Sequence, residues 1–172
     1  MASQPAVLVT LDGRLHDPGL PLLHADDLAA VRGDGCFETL LVREGRPCLP
    51  EAHLARLGQS ARMLDKTEPD QAARRAAVAL GAECWAAAHA GDGVMRLVYS
   101  RGRESGGPPT AYVTVGVLAD RVAGARRDGL AAITLDRGLP IEAGEMPWLV
   151  AGAKPLSYAV NMAALRHAER QG

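Results

Sequence analysis

One stretch, residues 36–64 (CFETLLVREGRPCLPEAHLARLGQSARML), narrows the possible folds more than any other. Two short β-forming runs meet at Glu44-Gly45, which reads as the tip of a hairpin over 36–49. Pro50 can then open a helix at its first turn, with Glu51 favourably placed near the positive end of the helix dipole. Leu54, Leu57, Ala61 and Leu64 recur at helical spacing and form an apolar stripe on 51–64. His53, Arg56 and Ser60 share a different face.

Around this hairpin–helix unit the other elements are segregated rather than alternating. AVLVTLDGRL (6–15) reads as a strand, a turn at Asp12-Gly13 and a short return. Thr67 with Asp70 reads as a capping box for an alanine-rich helix over about 68–90. GVMRLVYSRG (93–102) and TAYVTVGVL (110–118) read as strands, joined by the glycine- and proline-rich RGRESGGPP. LAAITLDRG (130–138) reads as a further strand, and a last helix is expected from about Leu156 to Arg170. This order predicts an α+β fold for residues 1–120. The polar, arginine-rich stretch 121–129 reads as a linker to a second lobe.

Several classes of function are disfavoured. The 172 residues carry a formal charge of −1, which gives no reason to expect nucleic acid or a membrane surface as partner. Aromatic residues make up 3%, too few for base-stacking platforms, whereas 48% hydrophobic residues suffice for a packed core. Cys36, Cys48 and Cys84 form no CxxC pair, and no two of the five histidines stand at i, i+4 spacing, so no metal is expected. Three cysteines and a start without a basic and then apolar segment fit a cytoplasmic protein with reduced thiols. The apolar stretch 76–90 is interrupted by Glu83 and His89 and is not read as a membrane span. RGDGCFET (32–39) precedes a strand and is not a dinucleotide fingerprint. No phosphate-binding P-loop and no G-x-S-x-G elbow appear.

The residue that demands a chemical explanation is Lys154, in LVAGAKPLSYAV. It is one of two lysines, the other being Lys66, in a chain that otherwise uses arginine for positive charge. Its flanks are small and apolar, and it precedes an expected helix, where the dipole disfavours a cation. Such surroundings lower a lysine pKa, and a neutral amine can form a Schiff base with an aldehyde cofactor. The plain alternative is an exposed lysine. Arg56 could equally be a solvated helix residue or a phosphate clamp, since its planar fork matches phosphate oxygens. Tyr158 would lie about one turn beyond Lys154, near the same face.

Taken together, RGDGCFETLLVREGRPCLPEAHLARLGQSARML, RLVYSRG and AGAKPLSYAVNMAAL resemble the class IV aminotransferase family, pyridoxal 5′-phosphate (PLP) enzymes of fold type IV. The resemblance covers most of the chain in the right order. It implies a two-lobed architecture, a complete N-terminal α+β lobe over 1–120 and the beginning of a barrel-like PLP-binding lobe over 130–172. It implies that Lys154 holds PLP and shuttles protons, and that Arg56, in H-x-x-R-L, binds the cofactor phosphate. Phe37 and Glu38, in G-D-G-x-F-E, match residues near the substrate pocket, and Arg96 or Arg101 could contact a substrate carboxylate. A small amino substrate and a homodimer follow from the same resemblance.

Among family members the segments look most like 4-amino-4-deoxychorismate lyases, which release 4-aminobenzoate and pyruvate for folate synthesis. No Arg-x-His carboxylate trap follows the S-R-G element, as it does in D-amino acid transaminases. Val94 stands where branched-chain transaminases carry tyrosine. An amino acid aminotransferase of branched-chain or D-amino acid type remains the alternative, and an inactive fragment or non-catalytic α+β scaffold the second. Two departures accompany the resemblance. The sequence stops soon after the helix that follows Lys154, so this chain by itself is expected to bind PLP weakly, to be inactive, and to leave apolar surface of the second lobe uncovered. Pro155 stands where many relatives have a non-proline, which restricts Lys154 to extended backbone and removes an amide donor.

Overall fold

The computed structural model describes residues 5–171 except Pro69, Arg137 and Leu139. The chain forms β1 (Pro5–Thr10), β2 (Leu15–His16), a single-turn α1 (Leu28–Val31), β3 (Gly35–Arg43), β4 (Arg46–Pro47), α2 (Pro50–Met63), α3 (Gln71–Ala88), β5 (Gly93–Ser100) and β6 (Ala111–Val117). There follow α4 (Asp120–Asp128), two 3-10 turns at Ile141–Glu145 and Pro147–Leu149, and α5 (Ala159–Gln171). The six strands make one sheet in the order β2-β1-β6-β5-β3-β4, and every pairing between them is antiparallel. This is the α+β architecture expected.

The period-2 alternation of each strand decides which side chains meet the helices. Leu40 and Val42 of β3, Met95 and Leu97 of β5, Val113 and Val115 of β6, and Val7 and Val9 of β1 are all buried. They form one core with Leu54, Leu57 and Ala61 of α2 and Ala77, Val78, Ala82 and Trp85 of α3. α2 packs on β3, and α3 lies across β1 and β6. The expected stripe on α2 is therefore its core face. The hairpin tip also stands where expected, with φ of 50° at Glu44 and 72° at Gly45, the positive pair that a two-residue hairpin turn requires.

The stretch read as a linker takes the form of an exposed helix, α4, which buries none of its residues. Three expectations are corrected. The helix α3 is capped by Asp70, whose carboxylate accepts from the Ala72 N–H at 2.8 Å, and not by Thr67. The carboxylate reaches that donor two residues on, and the Thr67 carbonyl instead accepts from the Tyr99 hydroxyl at 2.6 Å. Residues 130–136 form no strand: Leu130, Ile133 and Leu135 are exposed, and an apolar run with no neighbouring strand among the described residues cannot make a ladder. Arg137, in the same expected strand, lies outside the described residues. The last helix starts at Ala159 rather than Leu156 because 154–156 bonds to β3 instead.

No helix among the described residues is long and apolar enough to cross a membrane.

Candidate active site

Lys154 sits in a short extended segment laid against the start of β3. The Phe37 N–H donates to the Lys154 carbonyl at 3.1 Å, and the Leu156 N–H donates to the Gly35 carbonyl at 2.8 Å. Cys36 and Pro155 face each other in the bridge that these bonds enclose. In an antiparallel pair such residues alternate between bonded and non-bonded positions. Pro155 occupies a non-bonded one, so its missing N–H leaves no partner unsatisfied. The departure noted in the sequence is thus accommodated, and the extended backbone imposed on Lys154 is the one this bridge needs.

The glycines of R-G-D-G make this approach possible. A Cβ on Gly35 would stand 2.6 Å from Leu156 Cδ1 and 2.6 Å from the Tyr99 carbonyl oxygen. On Gly33, with φ of 67°, a Cβ would stand 2.9 Å from the Ser157 backbone. A turn, the plainer reading of this motif, leaves out the demand that a second chain segment lie on top of it. From the opposite side, the Lys154 N–H donates to Ser60 Oγ of α2 at 3.1 Å.

The side chain of Lys154 is half-buried. Its Nζ lies 4.0 Å from the centroid of the Phe37 ring and 5.1 Å from that of Tyr158. These two rings meet edge to face at 5.3 Å, a preferred arrangement for aromatic pairs. The structure therefore brings Phe37, Lys154 and Tyr158 together. Tyr158 arrives through an irregular bend and not, as expected, from the next turn of a helix.

A second group forms between β3 and α2. Glu38 is fully buried and accepts from Arg56 Nε at 2.6 Å, with a second short bond from Arg56 Nη2. His53 Nδ1 lies 2.9 Å from Glu38 Oε2. Burial pushes the Glu38 carboxyl up, but the bonds from Arg56 and His53 outweigh it and hold the carboxyl below its usual range. The same pairing raises Arg56. Nη1 of Arg56 has no hydrogen-bond partner among the described residues, and the side chain is half exposed. Because Glu38 matches its charge, Arg56 offers an incoming anion oriented N–H donors rather than net charge. Glu38 lies beneath Arg56 on the helix side of the sheet, whereas Phe37, its neighbour in the strand, turns toward Lys154.

The two candidate carboxylate contacts separate. Arg96 is exposed and pairs in register with Thr39, while Phe37 pairs with Val98, so Arg96 is the diagonal neighbour of Phe37 on one sheet face. Arg101 is engaged elsewhere: Nε bonds Asp34 at 2.6 Å, and Nη2 bonds the Leu64 carbonyl at 2.6 Å. It ties the R-G-D-G turn to the end of α2. Ser60 and His53 were grouped with Arg56 in the sequence without a task. Their i, i+4 and i, i−3 spacing from Arg56 was the available signal, but their partners, Lys154 and Glu38, are too remote in sequence for spacing to reveal.

These residues fit PLP. A half-buried amine flanked by aromatic faces can meet an aldehyde, and Arg56, pinned by a buried carboxylate, presents an outward N–H edge to a phosphate.

Comparison with known proteins identifies the family. The family described as amino-transferase class IV matches residues 35–172, and the chain belongs to that family. A curated relative, the bifunctional aminodeoxychorismate lyase / D-amino acid transaminase of Mycobacterium tuberculosis, is 65% identical over 167 residues, covering 96% of this chain and 58% of its own length. Among solved structures, a hypothetical aminotransferase from Mycobacterium tuberculosis in its alpha-ketoglutarate and PMP bound form matches with 65% identity and a TM-score of 0.94, over 97% of this chain and 59% of that one. The PLP-bound form of a protein given the same description matches with a TM-score of 0.93. A fold IV-transaminase from Curtobacterium pusillum is 39% identical with a TM-score of 0.91, over 96% of this chain and 60% of that one. The fold is thus that of the fold-type-IV aminotransferases, and the chain spans about three fifths of the length of these relatives.

Proposed function

We propose that these residues belong to a PLP-dependent 4-amino-4-deoxychorismate lyase, yielding 4-aminobenzoate and pyruvate for folate synthesis. The observation that carries the PLP part is Lys154 itself. Its backbone is fixed by β3 and α2, and its amine is held over Phe37 and beside Tyr158. The lyase part is supported by the 65% identity to a relative named for that activity. PLP, when bound, supplies the electron sink for breaking bonds at the substrate carbon. Lys154 would hold the cofactor and, with its amine free, would act as general base and acid at the substrate. Arg56 would bind the phosphate end, while Phe37 and Tyr158 flank the Lys154 amine. Arg96, on the same sheet face as Phe37, would meet a substrate carboxylate. The same reading includes a homodimer in the cytoplasm.

Transamination of amino acids is the second reading. The same relative is named for both activities, and a structural relative is described with alpha-ketoglutarate and PMP bound. Lys154 would there carry the proton between substrate and cofactor. The test is product analysis at saturating PLP and high protein concentration. Formation of 4-aminobenzoate with pyruvate supports the lyase, and keto acid formation from D-alanine or branched-chain amino acids without 4-aminobenzoate supports the transaminase. Neither product would favour an inactive fragment or a non-catalytic scaffold. Replacing Lys154 with alanine should lower either activity by at least roughly 100-fold.

A further inference from the structure

We propose that Ser60 is a positioning residue that sets Lys154 in register with Arg56, so that α2 fixes both ends of the bound cofactor. The inference rests on the PLP reading above but concerns a residue which that reading leaves without a task. Ser60 is 1% exposed and lies in the last part of α2. A serine inside a helix commonly bonds the carbonyl one turn back on its own helix. Here its oxygen instead accepts from the backbone N–H of Lys154, 94 residues further along the chain.

Both backbone polar groups of Lys154 are thereby committed, the carbonyl to Phe37 of β3 and the N–H to Ser60 of α2. The β3 side fixes the segment's register, and the α2 side fixes its height above the helix. Arg56 and Ser60 stand at i and i+4 on α2, one turn apart, which corresponds to a rise of about 6 Å along a rigid axis. The side chain proposed to hold the phosphate and the oxygen that holds Lys154 are therefore mounted on one element. Movement of α2 relative to the sheet would carry the phosphate anchor and the Lys154 tether together. Pro155, lacking an N–H, offers no substitute bond at the next residue.

Removing the Ser60 hydroxyl should leave the phosphate anchor in place and loosen the lysine end, which β3 still holds through the Lys154 carbonyl. This separates two ligands. PLP binds through its phosphate and through condensation of its aldehyde with the Lys154 amine, releasing water. Pyridoxamine 5′-phosphate has the same phosphate, but carries an amine in place of the aldehyde and cannot condense with a lysine.

The experiment compares the affinity of the wild-type chain, Ser60→Ala and Arg56→Gln for both ligands. Borohydride reduction and mapping of Lys154 report the lysine-linked fraction, and thermal unfolding is recorded for each protein. For Ser60→Ala, PLP affinity and the lysine-linked fraction should fall about five-fold, the worth of one hydrogen bond. Affinity for pyridoxamine 5′-phosphate should stay within about two-fold of wild type on the same scale. Arg56→Gln should weaken both ligands. Ser60→Thr, which keeps the acceptor oxygen, should restore the lysine-linked fraction if it unfolds near the wild-type temperature. An equal loss of both ligands in Ser60→Ala would assign Ser60 to packing and overturn the proposal, as would no loss of either. Wild-type protein that never links PLP to Lys154 would overturn the functional reading and this inference with it. Linkage in wild type that is unchanged in Ser60→Ala would overturn the inference only.

Discussion

Glu38 shows how one buried charge can organise several neighbours. With Arg56 and His53 donating to it, its ionised form stabilises the fold above the ordinary carboxylate pKa of about 4.5, and that contribution fades as pH falls through its lower folded value. Glu38→Gln should therefore cost about 1–3 kcal/mol in denaturant titrations at pH 7. The difference from wild type should narrow below about pH 4.5. A difference that is the same at pH 7 and pH 3.5 would contradict the ionised assignment.

Lys66 behaves in the opposite sense. It is 7% exposed, its Nζ has no hydrogen-bond partner among the described residues, and it lies 4.4 Å from the Tyr99 ring centroid. Burial, reinforced by Arg101 and partly offset by Asp34, Cys36 and Asp27, lowers it to about 8. Between pH 8 and 10.5 the unfolded chain binds the extra proton, so stability should rise with pH across that window. Lys66→Met should stabilise the protein at pH 7 by roughly 3 kcal/mol at most, with the gain vanishing above about pH 10.5. A gain that does not depend on pH would refute this. Sequence reading set Lys66 aside because nothing local marks it. Its burial comes from Tyr99 and neighbouring groups on other elements.

At the level of elements, the close packing of 154–157 on β3 sets a sharp requirement on Gly35. Gly35→Ala places a Cβ 2.6 Å from backbone at Tyr99 and should cost about 1–3 kcal/mol by overpacking while loosening the Lys154 segment. Trp85→Ala, on the core face of α3, should cost about 3–5 kcal/mol without touching that segment. Urea unfolding together with borohydride trapping separates the two, since only Gly35→Ala should also reduce trapping at Lys154. Elements whose signals are local were legible: the hairpin tip at Glu44-Gly45, the Pro50 helix start and the stripe of Leu54, Leu57 and Ala61 all stand where the residues placed them. Elements set by distant partners were not. The apolar run 130–135 finds no neighbouring strand among the described residues, and the onset of α5 is delayed because Leu156 bonds Gly35. The same division holds within the site. Lys154 and Arg56 stood out by type and setting, whereas the Ser60 bond depends on tertiary closure.

Across the whole molecule, a well-packed sheet with α2 and α3 contrasts with the region beyond β6. There Leu130, Ile133, Leu135, Trp148, Val160, Met162 and Leu165 are exposed, and 131–135 forms an apolar groove with α5. The anchors of Lys154 lie on the packed side of this division, in β3 and α2. The central claim is that those anchors make Lys154 the cofactor lysine, and the sequence supplies its own control, because Lys66 is the only other lysine. Incubation with excess PLP, borohydride reduction and peptide mapping will test it. The account predicts a pyridoxyl group on the peptide bearing Lys154 and none on that bearing Lys66. Label on Lys66 or the terminal amine in preference to Lys154, or no label at saturating PLP, would contradict it.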